Sequence, residues 1–243
     1  MSAPRTIARL ALLPRSFYAR DPRLVARDLL GKLLIRPCFQ GGPHPPSFGE
    51  SGEQECGEED CAPQEREEPV LLAGRIVEAE AYLGAIDPGA HAYRGQTPRN
   101  AVLFGPPGHA YVYFIYGNHY CTNVSCQPPD HAGCVLLRAI EPVCGLQAMA
   151  ALRGLTLAAA PSPAQLRLLT SGPGRLSQAL GITRQRDNAC DLCSPASALY
   201  IAADGHIPAA ISATPRINVA RAPLDEWRFL ISGNPFVSGK RLP

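Results

Sequence analysis

The segment GRIVEAEAYLG, residues 74–84, alternates over its whole length, and this constrains the fold more than any other feature of the chain. Successive side chains of a β-strand point to opposite faces of the sheet. The alternation therefore predicts a strand with two faces, one carrying Val77, Ala79, Ala81 and Leu83, the other Ile76, Glu78, Glu80 and Tyr82. Taken alone, the second set is typical of the solvent-exposed face of an edge strand.

The flanking sequence predicts helices and further strands in a single α+β domain, since 243 residues suffice for one large core. Asp21 can cap a helix with Pro22 at its first position. The segments GCVLLRAIEP and EWRFLISGNPFVS predict strands, and CGLQAMAALRG and GPGRLSQALGI predict helices. We expect a curved antiparallel sheet with a protruding hairpin, surrounded by helices.

The hairpin is predicted within YVYFIYGNHYCTNVSC, residues 111–126, which is aromatic and β-branched and is interrupted at Gly117-Asn118. A two-residue loop would pair Tyr113 with Thr122. A loop of Gly117, Asn118 and His119 would pair Tyr113 with Asn123 instead. The sequence leaves both registers open, and both place Tyr116 near the tip.

The acidic residues are concentrated in one stretch. Residues 37–69 hold nine of the 21 acidic residues and one of the 23 basic ones, so the remainder carries 22 basic against 12 acidic residues, a net charge of +10. Such a balance favours a nucleic-acid partner. The stretch itself is rich in Pro, Gly, Glu and Ser, and we interpret it as a disordered insertion between two strands.

Several chemistries are disfavoured. Lys32 and Lys240 are the only lysines, and both are distant in sequence from the other candidate residues, which argues against a lysine Schiff base. No glycine-rich phosphate loop or zinc-deaminase signature is present. The pair Cys56/Cys61 lies in the low-complexity acidic stretch, and the pair Cys190/Cys193 lacks flanking His or Cys ligands, so we expect no metal and no cofactor. No apolar run is long enough to span a membrane, and we expect a monomeric cytoplasmic protein.

Five blocks together resemble the alkyladenine (3-methyladenine) DNA glycosylase family of bacteria and animals. They are RIVEAEAYLG, DPGAHAYRGQTPRN, YVYFIYGNHYCTNV, VLLRAIEP and SGPGRLSQALGI, and they occur in the family's order. The resemblance implies a monofunctional glycosylase of base excision repair. Such an enzyme binds duplex DNA, flips out alkylated or deaminated purines and hydrolyses the N-glycosidic bond, leaving an intact abasic site.

The resemblance also assigns roles. Glu80 would be the general base that activates water, and Arg138 would hold its carboxylate ionised. The resemblance further implies a base pocket whose walls and floor are formed by Tyr82, His91, Tyr113 and Asn123. Tyr116 would be a wedge in the DNA minor groove, and the backbone carbonyl of Ile217 would position the water.

Two departures from the family and two competing functions stand beside this interpretation. Many relatives have methionine at Asn118 and glycine at Asn218, so the contact beside the wedge and the backbone next to Ile217 are in question. A non-catalytic binder of damaged DNA would keep the basic surface and the wedge but have no use for Glu80. A tRNA-binding module is suggested by fold analogy alone.

Overall fold

A 13-residue strand, β3 (Val70–Tyr82), lies at the centre of the fold. The structure is a computed structural model and describes residues 10–38, 70–115, 117, 119–221 and 224–239. One edge of β3 pairs with β6 (Gly133–Cys144), and the other is shared between β2 (Leu33–Cys38) and β9 (Arg228–Ile231). The alternative of a solvent-exposed edge strand is therefore excluded, because both edges of β3 are paired.

The described elements form an α+β arrangement, as predicted. The sheet runs in the order β1-β7-β2-β3-β6-β5-β4, β9 pairs with β3 and β8, and every pairing between the described strands is antiparallel. The remaining strands are β1 (Ala11–Leu12), β4 (Ala110–Ile115), β5 (His119–Cys126), β7 (Tyr200–Ala203) and β8 (Ile211–Thr214). The helices are α1 (Arg15–Tyr18), α2 (Pro22–Leu29), α3 (Leu146–Leu152), α4 (Pro163–Thr170), α5 (Pro173–Ala179) and α6 (Arg184–Asp187).

Helix α2 begins as its sequence predicts. The Asp21 side chain accepts a hydrogen bond from the Arg23 backbone N–H, and Pro22 occupies the first turn, where a missing N–H costs nothing. Its apolar face, with Val25 and Leu29 fully buried, packs on the sheet.

The sheet buries different residues on its two faces. The main core contains Val112 of β4, Val124 of β5 and Leu137 of β6, together with residues of α2, α3, α4 and α5. A smaller cluster contains Tyr111, with Tyr113 and Tyr82 packed against it. The alternation along β4 thus sends its valine into the main core and its tyrosines to the opposite side.

Three register shifts interrupt the pairing of β3 with β6, and the first lies between Ala73 and Gly74. The register shifts between Ile76 and Glu78 and again between Glu78 and Ala79, where Arg138 is the extra residue on β6. Ile76 consequently joins the main core with Ala79, whereas Val77 packs in a separate cluster. The prediction that Ile76 shares a face with Glu78 is wrong because simple alternation does not survive a bulge.

The hairpin has neither of the two registers that the sequence left open. Ile115 pairs with His119, and Tyr113 therefore pairs with Cys121. Tyr116 and Asn118 lie outside the described residues, so the predicted wedge remains a prediction.

The acidic insertion lies between two paired strands, because Cys38 at the end of β2 pairs with Val70 at the start of β3. Pro37 and Cys38, which the prediction assigned to the insertion, belong to β2. Residues 39–69 lie outside the described residues. In the described part of the chain, no helix combines the length and the apolar character that crossing a membrane requires.

Candidate active site

Glu80 is a fully buried carboxylate with donors on both oxygens. Its Oε1 accepts a hydrogen bond from the Ile217 backbone N–H at 2.8 Å, and its Oε2 accepts one from the Tyr82 hydroxyl at 2.9 Å. Arg138 places Nη1 3.3 Å from Oε1. A buried carboxylate requires such partners. The predicted neighbours Tyr82 and Arg138 are thus both in contact with Glu80.

Arg138 reaches Glu80 because of the bulge on β6. Its side chain is 9% exposed and lies between Glu80 and Glu78, whose Oε1 accepts a hydrogen bond from Arg138 Nε at 2.9 Å. Burial alone would lower the pKa of Arg138, but the charges of the two carboxylates outweigh it and raise that pKa. Arg138 therefore remains a cation that both carboxylates share.

Tyr82 acts as a hydrogen-bond donor in the site. Burial, reinforced by the Glu80 carboxylate, raises the pKa of Tyr82 well above its usual value. Its hydroxyl therefore stays protonated and can donate to Oε2. The guanidinium of Arg216 lies 4.6 Å from the centre of the Tyr82 ring, a cation–π distance that fixes the ring from the other side.

The loop that carries Ile217 is anchored by an ion pair that sequence reasoning missed. Arg216 donates to both oxygens of Asp87, at 2.6 and 2.9 Å, and both side chains are completely buried. Arg216 also donates to the Ala81 carbonyl at 3.0 Å, which ties the loop to β3. Asp87 and Arg216 are 129 positions apart in the sequence, and no local pattern links them.

Asn218 adopts the left-handed conformation, with φ of 61°. This is a region that glycine enters freely and that asparagine tolerates better than most residues. Asparagine in place of the family's glycine at position 218 is thus compatible with the backbone turn that presents the Ile217 N–H to Glu80.

A cavity of about 570 Å³ opens beside this carboxylate. Tyr82, Arg138 and Ile217, which all contact Glu80, belong to its wall, so Glu80 lies directly behind that wall. The other predicted pocket residues that line the cavity are His91, Tyr113 and Asn123, and Tyr111 joins them. The structure thus brings together every predicted site residue that it describes.

The aromatic side chains of the cavity contact one another. His91 packs edge to face on Tyr113, with ring centres 4.5 Å apart, and its Nδ1 lies 3.0 Å from the Tyr111 hydroxyl. Burial, and next the charge of Arg99, lower the pKa of His91, so its ring is neutral at pH 7. Asn123 donates from Nδ2 to the Tyr111 carbonyl at 3.0 Å, which orients its amide in the cavity.

Asn100 holds the loop that presents His91, and sequence reasoning missed it within the TPRN block. It is 2% exposed, accepts a hydrogen bond from the Thr97 N–H at 2.6 Å, and donates to the carbonyls of His91 and Gly95, both at 3.1 Å. One side chain thus satisfies three backbone groups of a loop without regular structure.

Asn100→Ala is expected to lower the free energy of unfolding by about 2–3 kcal/mol, because three backbone groups lose their partner. The loosened loop moves the His91 ring away from the cavity wall that partly desolvates it, so its pKa should rise towards the ordinary value. Thermal unfolding and NMR titration of the imidazole measure the two effects. The control Asn234→Ala removes two hydrogen bonds elsewhere, to Glu141 and Phe236, and should leave the titration unchanged. An unaltered His91 titration in Asn100→Ala would contradict this role.

The cysteines show no metal site within the residues that the structure describes, where no three His, Cys, Asp or Glu side chains are grouped as ligands. The Cys190 and Cys193 thiols are free. Cys56 and Cys61 lie outside those residues. Cys121 and Cys134 line the cavity, and burial raises the pKa of both thiols, that of Cys134 to about 12, so they are protonated.

Comparison with known proteins covers most of the chain. Residues 64–235 match the family model described as Methylpurine-DNA glycosylase (MPG). A protein of Koribacter versatilis named "Putative 3-methyladenine DNA glycosylase" is 50% identical over 239 residues, covering 98% of this chain and 99% of its own. Proteins of the same name from Burkholderia lata and Methanoculleus marisnigri are each 41% identical, over 94% and 93% of this chain and 92% and 98% of their own.

Proposed function

The chain belongs to the methylpurine-DNA glycosylase family, and from that membership we infer that it removes damaged purines from duplex DNA by hydrolysing the N-glycosidic bond. The observation that carries the inference is Glu80, a buried carboxylate that contacts three residues lining an aromatic cavity. A module that only bound DNA would gain nothing from burying a carboxylate where an anionic ligand must approach.

Glu80 acts as the general base in this proposal. It takes a proton from a water molecule as that water attacks C1′ of a nucleotide flipped into the cavity, while the C1′–N bond breaks and the base leaves with the bonding electrons. The Ile217 N–H and Arg138 both occupy the Oε1 side, whereas the hydrogen bond that Oε2 accepts within the described part of the chain comes from the Tyr82 hydroxyl. Oε2 is therefore the oxygen that the water approaches. The Ile217 carbonyl, one peptide group from the N–H that binds Glu80, is the second group that positions this water.

The aromatic cluster receives the flipped base. Tyr82, His91 and Tyr113 provide ring faces, and a base that has lost its neighbours in the duplex regains stacking from them. A base stacked between two aromatic rings needs about 7–8 Å between them, because each stacking contact takes about 3.5–4 Å. The rings of His91 and Tyr113, whose centres are 4.5 Å apart, therefore move apart when the base binds. The oriented amide of Asn123 excludes the exocyclic amine of guanine. Tyr116 fills the space that the base leaves in the DNA.

Base release tests the proposal. End-labelled duplexes carrying one hypoxanthine, 7-methylguanine, 3-methyladenine or ethenoadenine are incubated with the protein, and abasic sites are cleaved with hot alkali. We expect release from at least one of these duplexes, an intact strand before alkali and none from undamaged duplex. Binding to damaged duplex with no release from any substrate would support the non-catalytic binder. Preferential binding of tRNA, again without release, would support the tRNA module.

The acidic insertion provides a separate prediction, based on its charge. We propose that residues 39–69 weaken nonspecific DNA binding. Replacing them by Asn-Gly, which suits the tight link between the paired residues Cys38 and Val70, removes nine acidic residues and one basic one. Affinity for undamaged duplex at low salt should increase, and the gain should shrink as salt rises. An insertion of equal length rich in Gly and Ser is the control, and equal affinity of the native, deleted and control chains would contradict the prediction.

A further inference from the structure

Glu78 is a second fully buried carboxylate, two residues before Glu80, and the reaction as described gives it no role. Its Oε1 accepts hydrogen bonds from Arg138 Nε at 2.9 Å, Arg228 Nε at 2.6 Å and Ser238 Oγ at 3.0 Å. Its Oε2 accepts one from the Ser238 N–H at 2.6 Å. With Glu80, the cluster contains two carboxylates and two guanidinium groups, so its formal charge is zero.

The guanidinium of Arg138 divides its donors among three residues. Nε binds Glu78, Nη2 donates to Ser238 Oγ at 3.3 Å, and Nη1 lies 3.3 Å from Glu80 Oε1. An arginine that faces one carboxylate commonly binds both of its oxygens through two parallel hydrogen bonds. Here the stronger contact goes to Glu78, and Glu80 receives a single, longer one.

We propose that Glu78 is a positioning residue for base excision, which holds Arg138 by Nε so that only Nη1 reaches Glu80, at Oε1, and no guanidinium occupies Oε2. The proposal rests on the proposed function, in which Glu80 is the general base. Without the charge of Glu78, Arg138 turns to Glu80 and binds both of its oxygens, taking the place of the attacking water. Ser238 supports the arrangement because it donates to Glu78 and accepts from Arg138 at once.

The primary test is Glu78→Gln, which keeps the size of the side chain and removes its charge. Single-turnover base release at saturating protein gives the rate constant, and titration of binding-competent molecules with damaged duplex corrects it for any unfolded fraction. We expect the corrected rate constant to fall by about 100-fold, as misplaced catalytic groups typically cause, with unchanged affinity for the duplex. A purely structural role would lower the amount of folded protein and leave the corrected rate constant intact, which would overturn the proposal.

A matched control distinguishes positioning from the general cost of breaking a buried ion pair. Asp187, also fully buried, pairs with Arg36 at 2.8 Å on the part of the sheet that includes β2, and neither residue lines the cavity. Asp187→Asn should lose thermal stability as Glu78→Gln does but keep the native corrected rate constant. If the corrected rate constant fell equally in both variants, the loss would reflect a broken buried ion pair and not a positioning role of Glu78.

Two further variants keep the proposal testable if Glu78→Gln fails to fold. Glu78→Gln with Arg228→Gln removes one charge of each sign, so stability should recover while the rate constant stays low. If the double variant recovered both its stability and its rate constant, charge balance alone would explain the effect, and the proposal would be overturned. Ser238→Ala removes one hydroxyl and should lower the rate constant about fivefold, the equivalent of one hydrogen bond. An unchanged rate in Ser238→Ala would count against the positioning network.

The native protein and Glu80→Gln are measured in parallel. If the native protein releases no base, the proposed function fails and the failure is not attributed to Glu78. If the native protein is active and Glu80→Gln is not, any result for Glu78→Gln bears on the positioning role alone.

Discussion

Glu80→Gln is expected to slow base release by about 1,000-fold while the protein still binds damaged duplex, because an amide cannot take the proton from water. The substitution preserves the volume of the side chain, and its oxygen can still accept the hydrogen bond from Tyr82 or from the Ile217 N–H. Single-turnover release and a parallel binding measurement on the same duplex separate the chemical step from recognition.

Glu141→Gln is the matched control for this substitution. Glu141 lies on β6, and its Oε2 accepts a hydrogen bond from Asn234 at 3.0 Å, but it does not line the cavity. It should retain native activity. Base release by Glu80→Gln at the native rate would reject Glu80 as the base, and loss of DNA binding in that variant would show that the substitution disturbs more than the chemistry.

Asp87→Asn is expected to cost about 3–5 kcal/mol of unfolding free energy, because it leaves Arg216 charged in a fully buried position. For a chain of this size, that corresponds to a fall of about 10 °C or more in the unfolding midpoint. The Ile217 loop also loses its anchor, so the folded fraction should release base more slowly than the native protein. Thermal unfolding and single-turnover release measure the two effects.

The control for Asp87→Asn is Asp28→Asn. Asp28 pairs with Arg20 at 2.9 Å, and their side chains are 47% and 35% exposed. An ion pair this accessible contributes about 1 kcal/mol or less, since water and salt screen it. If Asp87→Asn were no more destabilising than Asp28→Asn, the buried pair would not be what anchors the loop.

Local regularity explains what the sequence could predict. Glu80 and Tyr82 are two residues apart on one strand, so alternation alone places them together, and their hydrogen bond confirms it. The cap of α2 depends only on Asp21 and its immediate neighbours, and it too is confirmed. The family resemblance placed Arg138 beside Glu80, and the two side chains are in contact.

The incorrect predictions concern features that depend on distant parts of the chain. Sequence reasoning assigned Glu78 no partners, because Arg228 and Ser238, which bind it, lie about 150 residues later in the chain. The face of Ile76 was wrong because a bulge adds one residue to β3, and nothing in its own sequence marks that bulge. Neither of the two hairpin registers that the sequence left open is present, because β4 ends at Ile115 and β5 begins at His119, which no local turn signal specified.

The shared edge of β3 has a consequence for biosynthesis. Glu78 and Glu80 are synthesised early, but the groups that donate hydrogen bonds to Glu78 include those of Arg228 and Ser238, and the N–H that binds Glu80 belongs to Ile217. Most strands of the sheet are therefore synthesised before the two carboxylates have all their hydrogen-bond donors. Until residues 217–238, which include β9, have been synthesised, the two carboxylates lack these donors and stay hydrated, since burial without partners is costly. The reactive centre is therefore assembled last, and a prematurely terminated chain has an incomplete one.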